Sequence, residues 1–280
     1  MKKFLLFAVL LCCVNVYAQQ KSGTSSDVTM TTVKPTVEYN SSRNVTVEKV
    51  AVSSVGTFVT LSGAPYGSNY KILVNSEMKL LLTDKYGVEY KYPIIMALDD
   101  DKLGFKLDTW YYKSSRWTIE LMFPRIPSGY TSISVQEPQP SGGSGAWKFN
   151  GIKINNPAKS PITESWLRTA SAKDIAREFV KASIMDGDFA KACMCLSGFS
   201  SLSDTDKKSE IAEARREWEE SDLGSTLLFS EMGTVTQRTD PKGEYDAIVD
   251  VELKGLVDVT ATVMLSKRPR GWTVEDVDME

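Results

Sequence analysis

Histidine is absent from the 280 residues, which removes the commonest general base and the imidazole metal ligand together. Ser-His-Asp triads, Cys-His dyads and histidine zinc sites go with it. The remaining groups that could do chemistry are few. Asp99, Asp100 and Asp101 gather the oxygens a hard cation wants. Calcium loops, however, place their ligands at alternate positions, and Leu103-Gly104 resumes a strand at once, so a solvated turn is the better reading. Cys193-Met194-Cys195 offers sulfur to a soft metal such as copper(I). On a helix, residues two apart point to nearly opposite sides, so the spacing favours burial of both thiols over a chelate or a mutual disulfide. Trp110, Tyr112 and Trp117 form a candidate surface aromatic patch for a sugar or a protein partner. Strand alternation puts Trp110 and Tyr112 on one face and Tyr111 on the other, so at least one face belongs to a core. Glu213, Glu217, Glu219 and Glu220, with Arg215 and Arg216, read as a solvated helix face. No phosphate loop is present: Ser141–Gly145 is glycine-rich, but no Lys-Ser/Thr follows it. No catalytic, cofactor-binding or metal residues are assigned.

The clearest pattern is apolar. Val249, Val251 and Leu253 share one strand face, and Val257, Val259, Ala261, Val263 and Leu265 share the next. Asp250, Glu252 and Asp258 fall on the opposite face, which must be the wet one because an unpartnered buried carboxylate costs several kcal/mol. An upstream helix carries Ile175 and Phe179. The expected lining of a pocket between helix and sheet is therefore Ile175, Phe179, Val249, Val251 and Val263. Such a lining cannot give or take a proton.

The elements that would position these residues follow a simple order. Residues 1–18 have a Lys2-Lys3 start, a short apolar run from Phe4 to Val14 and a Val16-Tyr17-Ala18 site, the layout of a cleaved signal peptide. The run is shorter than the ~20 residues a membrane-spanning helix needs. Cys12 and Cys13 lack the small residue that precedes a lipidated cysteine. The rest of the chain is expected to fold outside the cytoplasm, in the periplasm, on the cell surface or secreted. Residues 19–42, polar throughout, read as a flexible leader. Residues 43–155 hold short alternating strands at roughly ten-residue spacing with Gly and Pro turns, the text of an antiparallel sandwich. Residues 156–164, with Pro157 and Pro161, read as a linker. Residues 165–280 give three helices, each opened by Ser or Asp, and then a four-stranded meander.

Charge is shared unevenly between these parts. Residues 19–155 hold 15 basic and 12 acidic side chains, and residues 156–280 hold 16 and 24. An acidic second half argues against nucleic acid, whose phosphates select basic surfaces. With 42% apolar and 10% aromatic residues, the chain has enough to bury real cores.

Both halves resemble known modules. The capped helix ending in Asp186-Gly187-Asp188, the short helix ending in Leu196-Ser197-Gly198 and the closing Gly271–Val274 strand resemble the small exported branch of the nuclear-transport-factor-2-like fold, often described as lumazine-binding-like, over about 165–280. That resemblance implies three helices packed on a curved four-stranded antiparallel sheet, an α+β cone with a conical pocket. Related enzymes place Asp, Tyr or His there as acid and base; this chain has no histidine and no carboxylate on the expected inner face. Val45–Val50, Trp117–Pro124 with Ile126-Pro127, and Trp147–Ile154 resemble immunoglobulin-like β-sandwich modules of exported Bacteroidota proteins, over about 45–154. The expected function is a non-enzymatic binding or assembly module of the envelope, with a protein partner or an apolar small molecule as ligand. The alternative is an isomerase or dehydratase using the conical pocket.

Overall fold

The computed structural model describes residues 28–53, 56–64, 70–99, 104–109, 111–113, 115–138, 146–220, 231–255 and 258–280. The expected signal peptide lies outside them, as do Trp110, Asp100 and Asp101. Among the described residues no helix is long and apolar enough to cross a membrane. Contacts divide the chain into two compact units. One runs through Leu82 and takes in Tyr90–Ile126 and Tyr130–Asn156; the other holds Thr83–Glu89, Pro127–Gly129 and Pro157–Glu280.

The first unit is built from β1 (Val28–Val33), β2 (Val37–Asn40), β3 (Val45–Ser53), β4 (Thr57–Gly63), β5 (Tyr70–Ile72), β6 (Lys79–Thr83) and β7 (Glu89–Pro93). After them come β8 (Met96–Leu98), β9 (Gly104–Phe105), β10 (Tyr111–Lys113), β11 (Trp117–Phe123), β12 (Ser132–Gln136) and β13 (Lys148–Lys153). One sheet runs β1-β3-β4-β11-β8-β9 and another β2-β13-β12-β6-β7, while β5 and β10 form a two-stranded ribbon. In the five-stranded sheet Ile133 faces Ile152, and Val135 lies between Phe149 and Leu80; all are buried. In the six-stranded sheet Val50, Val59 and Leu121 align on one buried face. Ala51, Phe58 and Met122 form a second cluster on the other face. Trp117 of β11 stacks on Trp147, just ahead of β13, with ring centres 5.8 Å apart, and so joins residues of the two sheets.

Two expectations for this unit are corrected. Immunoglobulin domains divide seven to nine strands between sheets of a fixed order, whereas here sheets of six and five strands carry a different order. Residues 28–42 are not a flexible leader: β1 pairs with β3 and β2 with β13. The ladder supplies main-chain hydrogen bonds that a polar, Thr-rich segment can make without an apolar face of its own.

The second unit contains α1 (Glu164–Leu167), α2 (Ala172–Val180), α3 (Phe189–Cys193), α4 (Asp204–Glu220), β14 (Glu231–Arg238), β15 (Ala247–Lys254), β16 (Val259–Arg268) and β17 (Gly271–Met279). The sheet runs in chain order, β14-β15-β16-β17, antiparallel throughout. Ser171 caps α2: its hydroxyl accepts the Asp174 N–H at 3.2 Å and donates to the Asp174 carboxylate at 2.7 Å. Ser203 and Asp206 repeat the device at the start of α4.

The cone of three helices on this sheet is contradicted. Strand accounts for 44% of the described residues and helix for 20%, and α2 is the helix that lies across all four strands. The reason is in α4. Its seventeen residues are strongly polar with no concentrated apolar face, and Ile211 is its fully buried side chain. A helix without such a stripe has little to bury against a sheet.

Candidate functional site

The space between α2 and the sheet is filled. Ile175 on α2, Val249 and Val251 on β15 and Val263 on β16 are each fully buried in one cluster with Leu253, Leu265 and Val274. These four expected lining residues therefore form packed core. Phe179 alone of the five sits at an opening.

The helical register changes just beyond Phe179. After Val180 the chain makes a π turn, Lys181–Met185, in which the Asp186 N–H bonds to the Lys181 carbonyl at 2.9 Å. Five residues per hydrogen-bonded step, in place of four, rotates the side chains that follow. Ala182 and Ile184 turn inward, while Phe179, which precedes the turn, is half-buried at the edge of the cluster. A cleft of about 330 Å³ opens there, walled by Phe179, Ile184, Phe189, Trp218, Val277 and Met279. Its polar groups are peripheral. Ser183 donates its hydroxyl proton to the Phe179 carbonyl at 2.8 Å, and Glu217 is exposed at the rim.

Cys193 also borders this cleft. It and Cys195 are unpaired and buried. Burial first, and then the nearby carboxylates Glu210 and Asp188, push the Cys193 thiol up to about 12. Burial likewise lifts Cys195 to about 12. At neutral pH both remain thiols, the unreactive form. Asp188 caps α3 by accepting the Lys191 N–H at 3.1 Å. Burial is the main cause raising its carboxyl to about 6.

A second cleft, of about 350 Å³, lies at the β16–β17 turn. Its apolar walls are Leu167, Met194, Leu196 and Trp272, and Arg168, Arg268 and Arg270 line it as well. Leu196 borders both clefts. The segment that carries it is fixed by a parallel bridge to β17: the Val274 N–H donates to the Cys195 carbonyl at 2.9 Å, and the Ser197 N–H to the Val274 carbonyl at 3.1 Å. This bridge covers the outer edge of the sheet.

Trp117 does not join a surface aromatic patch, and Trp110 and the Tyr112 side chain lie outside what the structure describes. Trp117 is 1% exposed, because Gly63 stands directly across the β4–β11 pair and leaves room for the indole; a Cβ there would collide with the ring. Tyr112 pairs with Lys71 through the main chain of the two-stranded ribbon. The charges of the sheet's other face are engaged with one another: Asp250 accepts from Arg238 at 3.0 Å and from the Thr262 hydroxyl at 3.0 Å. Trp218, Val277 and Met279 escape a sequence reading because only the tertiary fold brings α4 beside the end of β17. No family model matches this chain, and no curated protein matches it either.

Proposed function

We propose that the protein is an exported binding module whose second unit holds a small apolar molecule in the cleft beside Phe179, without chemistry on it. One observation carries this reading: a concave site of about 330 Å³ whose walls are aromatic and aliphatic, at the lower end of the range of small-molecule sites. Its thiol stays protonated and its one carboxylate is at the rim, so neither a nucleophile nor an acid–base pair faces a ligand. Export is supported by the charged, apolar and small-residue order of residues 1–18.

Titration with the neutral dye N-phenyl-1-naphthylamine tests the reading. Ala214 borders the cleft, and Ala214→Phe would fill it. Wild-type protein should bind the dye saturably, and Ala214→Phe should weaken binding at least about tenfold, or about 1.4 kcal/mol, with its melting temperature unchanged. Absence of saturable binding, or equal binding by both proteins, would overturn the proposal.

A further inference from the structure

The second cleft has a different chemistry. The unit that holds it is acidic overall, with 24 acidic against 16 basic residues from 156 onward, yet three of its arginines line this one cavity. Arg268 is engaged: its Nε and Nη2 reach one Glu275 oxygen at 3.1 and 2.8 Å. Among the described residues Arg270 has a single long contact, 3.5 Å from Nη1 to the Ser200 hydroxyl. Arg168 makes no ion pair among the described residues, and it is exposed. Against these two guanidinium groups, neither of them in an ion pair among the described residues, stands one carboxylate on the wall, Glu164, which leaves a net positive cavity.

The geometry is held by the backbone. Gly271 ends the β16–β17 turn at φ +120°, and a Cβ there would strike the Leu167 carbonyl oxygen. Only glycine allows this approach, and it brings the turn carrying Arg270 against the helix end carrying Arg168. Trp272 supplies a partly exposed ring beside them, with Met194 and Leu196 behind.

We infer that this cleft binds a small anion built on a planar or apolar body, one carboxylate or phosphate group with a ring attached. Guanidinium groups present forked donors that match either oxyanion in two parallel hydrogen bonds, while the Trp272 ring and the aliphatic wall receive the body of the ligand. The site is independent of the apolar cleft and of the dye that probes it.

The probes are 2-naphthoate, 2-naphthyl phosphate and the neutral 2-naphthamide, titrated calorimetrically into the full chain. At least one anion should bind tenfold or more tightly than the amide, and the tighter of the two identifies the oxyanion class. The double variant Arg168→Gln and Arg270→Gln should lose at least tenfold in that affinity. Both side chains are exposed, so circular dichroism and melting temperature should not change. Arg168→Lys, which keeps the charge but not the fork, should fall between. Ala214→Phe should leave anion binding intact. Equal binding of amide and anions, no effect of the double variant, or loss of anion binding in Ala214→Phe would each overturn the inference.

Discussion

The filled core under α2 and the open cleft beside Phe179 draw on the same aliphatic and aromatic residue types but end differently. Under α2, Ile175 meets Val249, Val251 and Val263, and strand pairing sets β-branched side chains opposite one another at 0% exposure. Such chains have few rotamers and interlock closely. At the cleft the helix has changed pitch, the neighbours are Phe189, Trp218 and Met279, and the space does not close. The lesson is that an aliphatic strand face marks a core, whereas a ligand space arises where regular packing ends, here beside a π turn.

The largest test of that contrast is in the core. Val251→Asp places a carboxylate where nothing can pair with it and should cost at least about 3–5 kcal/mol, enough to unfold the second unit. Its neighbour on the wet face, Asp250→Val, removes a partly exposed ion pair with Arg238 and should cost about 1 kcal/mol or less. Urea unfolding followed by circular dichroism would measure both. Equal and small effects would mean that the two faces are not as different as described.

A smaller effect is expected next to the cleft wall. The carboxyl of Asp188 is raised from 3.8 to about 6, so the folded state holds its proton more tightly than the unfolded chain does. The resulting stabilisation is complete below about pH 4 and is lost as pH rises through about 6, by an amount on the order of 2–3 kcal/mol. Asp188→Asn keeps an N-cap acceptor and should flatten this part of the pH dependence of unfolding. An unchanged slope between pH 4 and 6 would show that Asp188 does not titrate as its burial implies.

Much of the local structure was legible in the sequence because its causes are local. Ser171 with Asp174 announces one helix start and Ser203 with Asp204 another, and the Ser171 and Ser203 hydroxyls accept the N–H groups of Asp174 and Asp206. The alternation of Val249, Asp250, Val251 and Glu252 separates a buried from a wetter face, and exposure follows it. What was not legible depends on partners distant in sequence. The helical text of 204–220 is correct as helix, but it has no apolar stripe to pack on the sheet, so the three-helix layer expected there does not form. Residues 28–40 look too polar for strands because their pairing is a main-chain property. The π turn leaves no mark in an apolar period, and neither does the tertiary packing that leaves Phe179 at a cleft and Ile175 in the core. Trp117 read as a surface candidate, since nothing near it in sequence shows Gly63 across the sheet or Trp147 stacked upon it.

The two clefts share Leu196 but differ in their methionines: Met279 borders the apolar one and Met194 the arginine-lined one. Protein labelled with ¹³C at the methionine methyl groups therefore reports on both clefts in a single spectrum. On titration with N-phenyl-1-naphthylamine, the Met279 methyl should shift to saturation while Met194 stays in place. A static Met279 signal, or a shift at Met194 of the same size and midpoint, would contradict binding of an apolar molecule in the cleft beside Phe179.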